Sequence, residues 1–142
     1  MTVIAWDGNT LAADKRTSFG TLIRTTTKIF RVGDALCAHS GNAAVGEEML
    51  AWFRSGAKAD TFPSVQRTDD WAELMVIRKG EILKYEQTPY PIHVEDRFIA
   101  IGCGRDYAMA AMHLGCSAVK AVEVEIELDS GCGNGIDVLE LP

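Results

Sequence analysis

No two of the four cysteines, Cys37, Cys103, Cys116 and Cys132, are spaced C-x-x-C, and His39, His93 and His113 complete no zinc pattern with them. The expected reading is therefore small buried thiols in a reducing cytosol. Lys and Arg form no block in a chain of net charge −6, so nothing points to nucleic acid or to a membrane surface. No apolar run approaches the ~20 residues of a membrane-spanning helix. A basic segment followed by a long apolar core, the mark of a signal peptide, is also missing. Together these absences lead us to expect a cytoplasmic protein with neither a nucleic-acid nor a membrane partner. No internal repeat or low-complexity tract interrupts the chain.

What is present is an ordinary globular mixture, 47% apolar and 24% charged over 142 residues, which predicts one domain spanning 1–142. Thr2 to Trp6 reads as a strand, Asp7-Gly8-Asn9 as a turn and Thr10 to Asp14 as the returning strand of a hairpin, with Val3, Ala5 and Leu11 on one face. Thr17 to Gly20 reads as a loop, followed by extended segments at 22–27, 28–32 and 35–40. Asn42 is a candidate N-cap for a helix carrying Ala43, Val45, Met49, Leu50, Trp52 and Phe53. Residues 57–70, including Pro63, read as an irregular connection. Strands follow at 71–78 and 81–85, and Phe98 to Gly102 is apolar enough to be buried on both faces. Arg105 to Leu114 has helical spacing through Tyr107, Ala108, Ala111 and Leu114, and Ser117 suits an N-cap. The segment 122–128 alternates like a strand, while Val119, Val122 and Ile126 also share one helical face. A Gly-rich turn at 129–135 leads to a closing strand at 136–141. Bunched strands with helices between them suggest stacked sheets covered by helices.

Thr2 follows Met1, and threonine is small enough for an aminopeptidase to remove that methionine. The expectation is a mature chain starting at Thr2. An N-terminal threonine carries a nucleophile and a base on one residue, because its hydroxyl attacks while its own α-amine takes the proton. That amine titrates near ~8 in model compounds and is usable at physiological pH.

Taken together, the pattern resembles the proteasome β-subunit and HslV (ClpQ) peptidases, most of all the short HslV-like proteins of phage and prophage genomes. The resemblance covers nearly the whole chain. It implies an N-terminal-nucleophile hydrolase with a shortened α+β fold, a four-layer αββα sandwich, and it favours a helix at 122–128. Thr2 falls on the nucleophile. Ala12-Ala13-Asp14-Lys15-Arg16 resembles the strand that ends in the acidic partner of the catalytic lysine, here Asp14, and in a supporting arginine, here Arg16. Thr27-Lys28-Ile29-Phe30 makes Lys28 the catalytic lysine. A buried cation favours the deprotonated threonine oxygen and amine, and needs Asp14 to offset its own desolvation. The plainer reading of Asp14 and Lys28 is a surface ion pair.

The resemblance also makes the backbone N–H of Ala38 the oxyanion donor. Alanine stands there in place of the family's glycine, and Leu36 shapes the pocket for the side chain before the scissile bond, which implies a small or apolar preference. Cys103 replaces a serine that orients the terminal amine. Asp129 matches the family's aspartate, and Cys132 replaces a small hydroxyl residue. A thiol is a weaker hydrogen-bonding group than a hydroxyl. Neither cysteine has a base beside it in sequence that would make it a nucleophile itself.

The implied substrate is a peptide or an unfolded protein. No cofactor is required. The implied partners are further copies of the chain and an ATP-dependent unfoldase. The family's longer enzymes carry two helices where this chain shows one followed by a loop, so the element that stacks rings is shortened. Trp52, Phe53 and Phe62 fit either core packing or an apolar contact surface. Two alternatives remain: an inactive oligomeric scaffold, motivated by the two thiols and the shortened region, and an amidase acting on a small molecule.

Overall fold

The computed structural model describes residues 1–63 and 70–142, which fall into two compact units, Met1–Phe30 with Asp96–Pro142, and Arg31–Glu95. In the first unit, β1 (Ile4–Trp6), β2 (Thr10–Asp14), β10 (Ile99–Ile101) and β11 (Ile136–Glu140) form an antiparallel sheet in the order β10-β1-β2-β11. Asp7 fixes the β1–β2 turn by accepting from the backbone N–H of Asn9 and Thr10 through Oδ1. Its other oxygen accepts from Ala118 N–H at 2.8 Å, placing an anion at the N-terminus of a helix, where the dipole favours it.

That helix, α3 (Ala118–Leu128), and α2 (Arg105–His113) cover one face of the sheet. Ser117 caps α3 by accepting from Lys120 N–H, and the segment 122–128 is helical, as the family resemblance indicated against its local alternation. The core beneath is made of small residues. Val3, Ala5, Ala12 and Ala100 from the sheet meet Ala108, Ala111 and Met112 of α2, and Ala118, Ala121 and Val122 of α3. Small side chains let helix and sheet approach closely, and each fully buried Val or Met contributes roughly 1.5–3 kcal/mol.

Several sequence expectations are corrected in this unit. Leu11 pairs with Trp6, and Ala12 with Ala5, so Leu11 lies on the face of Ile4 and Trp6, opposite Val3 and Ala5. The three-residue turn sets that phase. Phe98 and Ile99 are only half-buried, because β10 is an edge strand. On α2 the sheet-facing stripe is Ala108, Ala111 and Met112, which leaves Tyr107 and Leu114 exposed. Thr17 to Phe19 is not a loop. It belongs to β3 (Arg16–Phe19), which pairs with β4 (Leu22–Thr25) around a turn at Gly20, where φ is +63°.

The second sheet has the order β5-β6-β7-β8-β9, from β5 (Ile29–Val32), β6 (Ala35–Gly41), β7 (Ala72–Arg78), β8 (Glu81–Tyr85) and β9 (Ile92–Val94). The strand β9 was not anticipated from sequence. Helix α1 (Ala43–Arg54) packs on β6 and β7, and Asn42 caps it by accepting from Val45 N–H at 3.1 Å. Ala43 is exposed, off the buried stripe. Trp52 and Phe53 are core residues. Trp52 meets Phe62 and Tyr85 edge-on at 4.9 and 5.1 Å, and its indole N–H donates to Lys58 O. The irregular connection contains one 3-10 turn, Ala59–Thr61, and its stretch 64–69 lies outside the described residues. Among the described residues no helix is long and apolar enough to cross a membrane.

Candidate active site

The residues before β1 run against three loops of the first unit. Thr2 is half-buried, and its carbonyl accepts from Gly104 N–H at 3.0 Å. Gly102 lies in the same turn with φ at +96°, and a Cβ there would stand 2.2 Å from the Thr2 oxygen. Both the left-handed backbone and the close approach demand glycine. Cys103 sits between these two glycines and is exposed.

Asp14, the last residue of β2, is fully buried and accepts four hydrogen bonds. Oδ1 takes Val3 N–H at 3.1 Å and the Lys28 ammonium at 2.7 Å. Oδ2 takes Arg16 N–H at 3.2 Å and Gly133 N–H at 3.1 Å. The alternative of a surface ion pair is thereby overturned, because Lys28 is 4% exposed. Lys28 stands directly before β5 and also donates to the Met1 carbonyl at 3.1 Å. Burial lowers its pKa below the ordinary lysine value, and the hydrogen bond and charge of Asp14 oppose that shift. The ammonium is thus held at the peptide bond joining Met1 to Thr2.

Arg16 begins β3 and turns back over the loop 130–134. Its guanidinium donates to Ser130 O, and its Nε donates to Asn134 Oδ1 at 3.1 Å. Asn134 has φ at +61°, a conformation asparagine tolerates, and its amide donates to Arg24 O and Thr25 Oγ1 of β4. The arginine therefore fixes the loop that supplies Gly133 N–H to Asp14.

The end of α3 supplies the rest. Asp129 caps the helix, and its Oδ1 accepts from Gly131 N–H at 2.7 Å. Gly131 lies against the Met1 side chain, where an added Cβ would meet Met1 Cγ at 2.2 Å. Cys132 is buried. Its thiol is pushed up to about 12, first by burial and then by the charges of Asp14, Asp129 and Glu125.

Glu125 is the member of this region that sequence reasoning missed. It is fully buried, and neither carboxyl oxygen accepts a hydrogen bond from a described residue. Its pKa is raised to about 7, first by burial, then by hydrogen bonding to Asp129 and by the charges of Asp129, Asp106 and Asp14. Two carboxylates cannot hydrogen-bond to one another, so the bond to Asp129 needs one proton on the pair, and burial favours that proton on Glu125. A signal was available, because Ala118, Ala121, Val122 and Glu125 form one helical stripe. Among the described residues, one donor atom from each of Glu125, Asp129 and Cys132 lies within 4.8 Å of the others. Both the carboxyl of Glu125 and the thiol hold their protons more tightly than usual.

Thr2, Asp14, Arg16, Lys28, Cys103, Asp129 and Cys132 thus belong to one unit. Leu36 and Ala38 belong to the other, fully buried on β6 and registered with Ile77 and Met75 of β7.

No protein-family model and no curated protein matches the chain. Solved structures do. Thiobacillus denitrificans BPH in complex with epoxomicin aligns at 21% identity over 100% of both chains, with a TM-score of 0.69. A second structure of Thiobacillus denitrificans BPH aligns at 21% identity over 99% of this chain and 98% of its own, with a TM-score of 0.66. Eukaryotic HslV from Trypanosoma brucei aligns at 20% identity over 98% of each chain, with a TM-score of 0.64. Identity near one fifth carries the fold alone, and over its whole length this chain has the α+β fold of the HslV and proteasome type.

Proposed function

We propose that the chain is a threonine peptidase that uses Thr2 after Met1 has been removed. One observation carries this reading. The buried Lys28 ammonium, paired with Asp14, donates to the Met1 carbonyl, one bond from the nitrogen that removal of Met1 would free. In the mature chain the freed α-amine takes the proton as Thr2 Oγ bonds to a peptide carbonyl carbon. The same proton passes to the leaving amine as the C–N bond breaks. Water then cleaves the Thr2 ester and restores the hydroxyl. Lys28 disfavours protonation of the amine, and Asp14 holds Lys28 in place. Arg16, Cys103, Asp129 and Cys132 support the terminus. Ala38 N–H as oxyanion donor and Leu36 as pocket residue rest on the family resemblance. Peptides, self-association and an ATP-driven unfoldase are proposed on the same ground.

The test is hydrolysis of a panel of fluorogenic peptide amides and small amides by Met-free protein. Turnover of peptides that disappears in Thr2→Ala supports the reading. Turnover of small amides alone converts it to an amidase. No turnover of either by the Met-free protein leaves a proteasome-fold scaffold without catalysis.

A further inference from the structure

We propose that Glu125 is a positioning residue for the Thr2 site, its carboxyl filling the space behind the Gly102–Gly104 turn and linking that turn to Asp129. The inference rests on the reading of Thr2 as nucleophile for its catalytic part, and on geometry for the rest. Glu125 is fully buried and no described group donates to either oxygen, an arrangement that costs free energy unless the carboxyl is protonated and itself donates. An added Cβ on Gly104 would meet Glu125 Cγ, Cδ and Oε1 at 2.6–2.7 Å. The carboxyl therefore packs directly on the residue whose N–H holds the Thr2 carbonyl. One donor atom from each of Asp129 and Cys132 lies within 4.8 Å of the same carboxyl. Glu125 thus joins the two loops that flank the start of the chain, 102–104 and 129–133.

The groups facing it are Asp129 at the end of α3, Asp106 of α2, Asp14 of β2 and the Cys132 thiol, with Lys28 acting on the same thiol and on Asp14. The acidic neighbours all oppose a second negative charge. With the proton on, Glu125 and Asp129 carry one charge between them and are joined by an O–H···O bond. With the proton lost, two carboxylates repel, Gly104 loses its packing, and the Thr2 carbonyl loses a fixed donor. A protonated Glu125 also spares the Thr2 amine an additional anion, which would otherwise favour the ammonium over the neutral base.

Three variants of the full Met-free chain separate the possibilities. Glu125→Gln keeps a donor and cannot ionise, Glu125→Leu keeps the bulk and removes the donor, and Thr2→Ala removes the nucleophile. Carbon-13 NMR of the glutamate carboxyls should show one resonance, absent in Glu125→Gln, that titrates near neutrality, and the Gly104 amide should shift with the same midpoint. In peptide hydrolysis, Glu125→Gln should retain the wild-type rate within about threefold and extend activity to higher pH. Glu125→Leu should lower kcat about tenfold or more with little change in KM. The proposal is overturned if every glutamate titrates near the ordinary ~4.3, or if Glu125→Leu matches wild type in kcat and pH profile. Should wild type prove inert to peptides, the Thr2 reading falls, and the carboxyl and Gly104 titrations still decide the role of Glu125.

Discussion

Asp14 and Glu125 are both carboxylic acids with no exposed surface in the same unit, yet they meet burial in opposite ways. Asp14 accepts from three backbone N–H groups and an ammonium. Glu125 accepts from nothing, and burial pushes it up to about 7. A buried carboxyl is tolerated either as an ion with its lone pairs filled or as an acid that keeps its proton. The difference arises from position. Asp14 ends a strand where three chain segments turn and leave N–H groups free. Glu125 sits within a helix, where neighbouring backbone groups are already paired, and the side chains within 4.8 Å of it include Asp129 and Cys132.

The most severe way to break the contrast is Asp14→Ala. It leaves the Lys28 ammonium buried without its carboxylate partner, at a cost of about 3–5 kcal/mol. Chemical denaturation should show that loss, and peptide turnover should vanish. The double variant Asp14→Leu, Lys28→Met should recover stability without activity, since it removes both charges. Gly102→Ala comes next, because its Cβ would collide with the Thr2 carbonyl in a left-handed backbone. It should cost about 1–3 kcal/mol and slow any acylation of Thr2.

The pH dependence sharpens the comparison. Glu125 has a folded-state pKa of about 7 against an ordinary value of 4.5, so between those values the folded state binds more protons than the unfolded state. Stability therefore falls as pH rises from about 4.5 to about 7 and is flat beyond. Lys28 acts with the opposite sign. Its folded value is lowered, so its part of the stability rises as pH climbs towards the ordinary lysine value of 10.5. Melting curves across pH should show the acid-side fall in wild type and its absence in Glu125→Gln. The smallest effect concerns the thiols. Exposed Cys103 should alkylate in the native protein, whereas Cys37 and Cys132, both buried and raised to about 12, should resist until unfolding. Peptide mapping after iodoacetamide checks the order.

Much of this was readable beforehand. The pairing of Asp14 with Lys28 follows from the family resemblance alone, since the residues by themselves read as a surface ion pair, whereas Asn42 and Ser117 are the caps their side chains permit. Leu11 was placed on the wrong face because alternation survives a turn only if the turn length keeps its phase. The β3–β4 hairpin was read in part as loop because its residues are largely exposed and carry no buried stripe. Glu125 was passed over because Val-Glu-Val-Glu-Ile-Glu-Leu suggests outward-facing glutamates, and only the helical period turns one inward.

The central claim is that Lys28 and Asp14 serve an N-terminal Thr2. The most direct measurement is the intact mass of protein expressed from its own start codon and incubated with epoxomicin, the ligand found with Thiobacillus denitrificans BPH. The account predicts loss of one methionine and gain of one inhibitor, with no gain in Thr2→Ala. Met-free protein that gains nothing, or gains the same mass in Thr2→Ala, would contradict it.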